Sequence, residues 1–203
     1  MTAKQLAMII LVLAAARLVF YFAPSLIHLS DKWKRFTVEY LDSVIVAGVT
    51  ALFIIHFLFR TFYIPSGSMI PTLQIKDYIL VNEFVYRLKE PARGDIVVFK
   101  PPPEANAGDK EFIKRVVGLP GDKVAVDDGK VYINGNPLSE PYVANPPDYI
   151  MEAATVPEGH LFVMGDNRPA SADSHIWGYV PARNVIGKAV LILLPPGRAR
   201  VLK

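Results

Sequence analysis

Residues 123–135 read KVAVDDGKVYING. Two short runs, KVAV and KVYI, alternate apolar with polar positions, and Asp127-Asp128-Gly129 separates them. Asn134-Gly135 closes the second run. Asp-Gly and Asn-Gly are the strongest short-range hairpin signals, because the favoured tight turns need residues that tolerate positive φ. The same pattern extends to both sides. YILV (78–81), DIVVF (95–99), FIKRVVGL (112–119), HLFVMG (160–165) and KAVLILL (188–194) are strand-length apolar runs, and Arg93-Gly94-Asp95 and Pro120-Gly121-Asp122 punctuate them. No stretch after residue 65 keeps a 3.6-residue apolar period over two turns. Most of the 17 prolines fall in this region, at 101–103, 146–147 and 195–196 among other places, where they suit loops and sheet edges. Residues 61–203 are therefore expected to form a mostly-β domain of antiparallel sheets, barrel-like and without sequence repeats.

Upstream the pattern changes. Apolar residues make up 52% of the 203-residue chain, high for a soluble domain, and the excess gathers at the N-terminus. QLAMIILVLAAARLVFYFA (5–23) contains one Arg, and SVIVAGVTALFIIHFLF (43–59) contains no charge. Each approaches the roughly 20 residues a spanning helix needs. We expect two transmembrane helices, 5–23 and 43–59, joined by a loop over 24–42. Lys32, Lys34 and Arg35 make that loop the cytoplasmic one, which puts residues 61–203 on the outer face. Arg17 is expected to snorkel toward the headgroups. The rival reading makes residues 1–23 a cleaved signal peptide, with Lys4 before the apolar core and Ala14-Ala15-Ala16 near its end. That reading would leave everything after residue 60 in the cytoplasm, against the charge bias.

The bulk chemistry excludes several classes. Lys and Arg total 22 against 19 Asp and Glu, with no basic block of five, so no nucleic-acid partner is expected. The absence of cysteine rules out disulfides, thiol catalysis and zinc–thiolate sites. No HExxH spacing and no phosphate-cradling glycine loop occurs, so neither a metal nor a cofactor is expected.

One segment combines small polar residues with apolar anchors: FYIPSGSMIPTL, residues 62–73. It reads either as a flexible tether after a membrane span or as a serine held between two ring-locked prolines. A serine nucleophile needs a base. His28 lies in the loop and His56 within the second run, which leaves His160, His175 or a lysine. A lysine serves near neutral pH only where burial strips its charge of solvation. Lys114 in FIKRVVGL has suitable company: on a strand it shares a face with Phe112 and Val116, while Ile113, Arg115 and Val117 take the other. It equally fits a sheet edge, where both charges reach water. Ser66 alone reads as a turn-capping serine, and GDNRPASAD (165–173) as a polar surface turn.

IPSGSMIPTL, FIKRVVGLPGD and MGDNRPASADSHIWGYV, in this order after two apolar runs, resemble the sequence boxes of bacterial type I signal peptidases. RGDIVVF (93–99) and VDDGKVYINGNPLSEPY also match, and the likeness covers roughly residues 43–194. The resemblance implies a Ser–Lys dyad, with Ser68 as nucleophile and Lys114 as general base, and an oxyanion held by the Ser68 N–H and the Ser66 hydroxyl. It implies that Ser171 orients the lysine amine and that Asp166, Asn167, Arg168 and Asp173 support the site. Phe62, Ile64, Met69, Leu73, Phe112 and Ile113 match pocket-lining positions. Two departures stand out. Pro169-Ala170 replaces an acid-Asn pair and His175 replaces an Arg, which implies a less firmly held supporting loop.

The implied function is removal of signal peptides after small-x-small motifs, at the outer face of a bacterial inner membrane. Its partners would be preproteins, the lipid bilayer and, by proximity, the export machinery. Two rivals stand beside it: a Ser–Lys processing peptidase with narrower clients, and a catalytically silent membrane-tethered β domain that binds exported chains.

Overall fold

Each of the seven apolar runs after residue 61 forms a strand. The described residues of the computed structural model are 3–22, 30–108 and 110–202, without the side chains of 3–7, 31 and 53–57. They fall into two units, Met1–Phe59 and Arg60–Lys203.

The first unit contains helix α1 (Ala3–Phe22) and helix α2 (Asp31–Leu58). Helix α2 begins twelve residues before the apolar run at 43, so the basic stretch read as loop is helical from Asp31. Arg17 does not stand free to snorkel; its Nε donates to Asp42 Oδ1 at 2.8 Å. Gly48 lets α2 approach α1, since a Cβ there would lie 2.9 Å from Ile10. Among the described residues, no helix is long and apolar enough to cross a membrane. His28 and the side chain of His56 lie outside the described residues.

Among the described residues there are twelve strands, which lie in the second unit apart from the first residue of β1: β1 (Phe59–Tyr63), β2 (Tyr78–Asn82), β3 (Ile96–Phe99), β4 (Phe112–Gly118), β5 (Lys123–Asp127), β6 (Lys130–Ile133), β7 (Asn136–Pro137), β8 (Met151–Thr155), β9 (His160–Met164), β10 (Val180–Pro181), β11 (Val185–Leu194) and β12 (Arg200–Val201). The larger sheet runs β1-β2-β11-β3-β4-β9-β10, with β12 also on β11. The smaller runs β7-β6-β5-β8. The described registers are antiparallel, as the hairpin signals predict. Among the described residues the larger sheet ends at β1 and β10, so its strand order is open.

Period-2 alternation carries apolar side chains to both faces of the larger sheet. On β3, Ile96 and Val98 join one core cluster with Met69, Leu73 and Ile79, while Val97 and Phe99 join another with Val116, Leu161 and Trp177. On β9, Phe162 and Met164 face a third cluster, shared with Val124, Val126 and Val131 of the smaller sheet. Strand β4 lies between β3 and β9, in the middle of the larger sheet. Its residues from Lys114 to Gly118 are buried, while Phe112 and Ile113 at its start are half-exposed.

The two sheets meet closely at Gly118, where β4 shifts register against β9. A Cβ there would lie 2.7 Å from Val124, 2.8 Å from Phe162 and 2.9 Å from Val156. Gly118→Ala should overpack this junction and destabilise the second unit by about 1–3 kcal/mol. An unchanged denaturant midpoint would show that the sheets separate there freely.

Candidate active site

The segment around Ser68 is no tether. Its two ends are joined by Ile64 N–H donating to Asp77 O and Lys76 N–H to Ile64 O, each at 2.9 Å. Asp77 is itself fixed by a fork from Arg198, both contacts at 2.9 Å, and it caps the Gln74 N–H at 2.8 Å. These contacts hold its carboxyl below the usual range, despite burial that works the other way. Met69 and Leu73 are fully buried in the core and pin the turn from beneath. Ser68 follows from this: the chain on its C-terminal side is anchored by apolar burial.

Strand β4 brings Lys114 to this serine across 46 residues of sequence. Lys114 Nζ lies 2.7 Å from Ser68 Oγ. Lys114 is 5% exposed, so the sheet-edge reading does not hold. Burial lowers its pKa to about 8, and the negative charges of Asp173 and Asp166 hold it from falling further. Neither histidine bonds to Ser68 among the described residues. His160 Nδ1 lies 2.9 Å from Glu158 O, and His175 is engaged elsewhere.

The loop after β9 closes the site from one side. Asp166 is fully buried and takes a fork from Arg115, at 2.9 and 2.7 Å, with the Thr72 hydroxyl as a further donor. Asn167 donates its N–H to Ser68 O at 3.0 Å and its Nδ2 to Gly67 O at 3.2 Å. Arg168 is buried; its Nε donates to Gly165 O at 2.9 Å and its fork grips Glu140. Asp173 accepts from the Gly165 N–H at 2.9 Å and meets His175 Nδ1 at 2.7 Å. The polar-turn reading of this loop fails because Asp166, Arg168 and Asp173 are all fully buried.

Ser171 differs from expectation. Its Oγ is buried yet has no hydrogen-bond partner among the described residues, so the bond to the lysine amine is not made. It packs against Gly165 instead, where a Cβ would come within 2.2 Å of it and 2.4 Å of Ser68 O. Gly165 was not singled out from the sequence, and a glycine before Asp166 gives no local sign that two chains press against it.

A cleft of about 860 Å³ opens beside the dyad. Phe62, Phe112 and Ile113 line it together with Ser66, Gly67, Asn167, Ala170 and Ala172. Ile64, Met69 and Leu73 are not among its lining residues. They are 0–2% exposed and belong to the core behind it, where they anchor the serine segment. Ser66 is exposed at the cleft mouth.

A family model described as signal peptidase, peptidase S26, matches residues 37–194. The chain belongs to the signal peptidase family, peptidase S26. Probable signal peptidase I-1 of Synechocystis sp. is 44% identical over 168 residues, covering 81% of this chain and 86% of that protein. Signal peptidase I of Leptolyngbya laminosa is 46% identical over 167 residues, covering 79% and 81%. Probable thylakoidal processing peptidase 2, chloroplastic, of Arabidopsis thaliana is 44% identical over 139 residues, covering 66% of this chain and 38% of that one. As a member of this signal peptidase family the protein is a serine peptidase, a hydrolase that removes signal peptides.

Gly165→Ala should push the Ser68 carbonyl and Ser171 apart by the overlap a Cβ creates. Displacement of about 1 Å at a reacting group costs on the order of 100-fold in rate. Signal-peptide cleavage by the variant within threefold of wild type would contradict the close packing at Gly165.

Proposed function

We propose that the peptidase works by a Ser68–Lys114 dyad with no catalytic histidine. The observation that carries this reading is the 2.7 Å contact between Lys114 Nζ and Ser68 Oγ inside a buried pocket. Neutral Lys114 takes the proton from Ser68 Oγ as that oxygen attacks the scissile carbonyl. The tetrahedral intermediate collapses to an acyl-enzyme, and the leaving amine receives the proton from Lys114. A water then enters, gives a proton to Lys114 and attacks the ester; Lys114 returns that proton to Ser68 Oγ as the signal peptide, the N-terminal fragment, leaves with its new carboxyl group, the mature chain having departed earlier as the amine. The Ser68 N–H and the Ser66 hydroxyl stabilise the oxyanion; loss of one such donor costs about 10²–10³ in rate. Asp166, Asn167, Arg168 and Asp173 support the dyad from behind. Ser171 acts there through its packing on Gly165.

Phe62, Phe112 and Ile113 form the apolar wall that admits small side chains, which suits cleavage after small-x-small motifs. Strand β1 ends the larger sheet, so its outer edge offers backbone groups to an extended cleavage region. The domain acts at the outer face of a bacterial cytoplasmic membrane. The apolar runs 5–23 and 43–59, and the basic residues between them, favour two spans with residues 61–203 outside. The relative from chloroplast thylakoids makes a thylakoid membrane the second location to examine.

Ser68→Ala and Lys114→Ala should each abolish preprotein cleavage, because neither half of the dyad works alone. Only the neutral amine accepts a proton. Activity should therefore climb with pH through an apparent pKa of about 8 and level off above it. Appreciable cleavage by Lys114→Ala, or a profile that climbs only above pH 10, sinks the assignment. For topology, protease added outside sealed cells should digest the region after residue 60; protection of that region reverses the orientation.

A further inference from the structure

The departures at Pro169-Ala170 and His175 predict a supporting loop with fewer polar ties. Four contacts from another part of the chain meet that loop and its partner Arg115. All four come from the segment between β7 and β8, residues 140–149. Glu140 accepts the fork of buried Arg168 at 2.6 and 2.9 Å. The Tyr142 ring lies 3.8 Å beneath the Arg115 guanidinium, and its hydroxyl donates to Glu140 at 2.8 Å. Asn145 bridges Asn167 through the backbone and donates Nδ2 to Asn167 Oδ1 at 3.3 Å. The Tyr149 ring stacks on His175, with centroids 4.0 Å apart and planes 10° from parallel.

Each of these four partners is one contact away from the dyad or from the chain around it. Arg168 holds Gly165 O; Arg115 holds Asp166; Asn167 holds Ser68 O; His175 holds Asp173, which in turn holds the Gly165 N–H. Asp166 and Asp173 are also the two charges that act on the Lys114 amine. Only one of the four contacts requires the chain's own departure from the family pattern. A flat imidazole stacks face to face on Tyr149 and still presents Nδ1 to Asp173, so ring stacking sets the direction of that hydrogen bond.

We propose that residues 140–149 act as a strap that positions the catalytic loop, and that Tyr149 is its decisive positioning residue, acting on the dyad through His175 and Asp173. This rests on the Ser68–Lys114 reading. Loss of the stack frees His175, leaves the Asp173 carboxylate without its 2.7 Å partner, and exposes Lys114 to more of that negative charge. The titratable groups in contact with His175 are Asp173 on its own turn and Tyr149 on the strap; Asp173, Arg168, Asp148 and Glu140 act in turn on Tyr149. More of the Asp173 charge favours protonated Lys114, so the acid limb of activity moves to higher pH.

The test uses the full chain in detergent, with cleavage of a preprotein followed across pH and thermal melting recorded for each variant. Tyr149→Leu should lower kcat about tenfold at nearly unchanged KM and move the acid limb upward, while Tyr149→Phe, which keeps the ring, stays within twofold of wild type in both. If Tyr149→Leu melts earlier but keeps its kcat and its pH limb when folded, the strap is only a brace and the proposal fails. It fails equally if Tyr149→Phe loses as much as Tyr149→Leu. Should Tyr149→Leu not fold, the exposed Asn145→Ala decides: a severalfold fall in kcat supports the strap, and wild-type kcat overturns it. Lys114→Ala assayed in parallel keeps the two readings apart, because activity there removes the dyad without bearing on the strap contacts.

Discussion

A primary amine buried beside a serine hydroxyl is the constraint around which the rest of the second unit is arranged. Lys114 can sit there only because β4 runs between β3 and β9 in a sheet covered on both faces. The environment must also avoid pairing it too well. A carboxylate about 4 Å from an ammonium contributes about 4 kcal/mol at an effective dielectric near 20, roughly three pKa units. Neither Asp166 nor Asp173 forms an ion pair with Lys114 among the described residues, and both still raise its pKa from a distance. The structure engages both acids elsewhere. Asp166 is committed to Arg115, and Asp173 to the Gly165 N–H and His175. What remains of their fields leaves the amine between its ordinary pKa and the value burial alone would give.

The same division of labour holds the nucleophile. Apolar residues on the serine segment look alike in sequence, but they do different things. Ile64, Met69 and Leu73 go into the core, and the chain between them has little choice of path. Phe62 packs against the edge of the same core, stays half-exposed and lines the cleft. Polar contacts then finish the positioning: Asn167 binds two carbonyls in succession, Gly67 O and Ser68 O. Burial supplies the anchoring force, and hydrogen bonds supply the direction.

This explains which features were legible in the sequence. The hairpin over 123–135 and the seven apolar runs were legible because turn chemistry and period-2 alternation are local. Strand β8 was not: MEAAT contains Glu and Ala, poor strand formers, and it is extended because β5 offers it a partner. The start of α2 at Asp31 was hidden by its charges, which read as loop although a helix accepts them on its surface. The dyad itself needed the family resemblance, since nothing local brings residues 68 and 114 together. Pocket and core cannot be distinguished from residue type alone, which is why Ile64, Met69 and Leu73 were placed in the pocket. The Ser171 hydroxyl, which has no hydrogen-bond partner among the described residues, illustrates a different difficulty. A hydroxyl's partner depends on a few tenths of an ångström, and here the packing on Gly165 decides its place.

The strap gives the chain's departures a common physical sense. A buried loop carrying Asp166, Arg168 and Asp173 needs partners for every charge, since an unpaired buried ion costs several kcal/mol. Where one polar pair is replaced by Pro169-Ala170, the loop loses donors and acceptors of its own, and Ala170 turns to the cleft instead. Contacts from outside the loop add to those that Gly165, Arg168, Asp173 and His175 make among themselves. Glu140 meets the charge of Arg168, Tyr142 covers the face of Arg115, and Tyr149 covers His175. Arg115 is already satisfied by Asp166 and Gly94 O in its own plane, so an aromatic face is the one kind of neighbour that adds contact without competing for its donors. The imidazole is in the same position: its edge is spent on Asp173 and its face is available. Two aromatic rings on one short segment, each meeting a planar group face-on, let the strap hold the loop without altering the charge balance that keeps Lys114 available as a base.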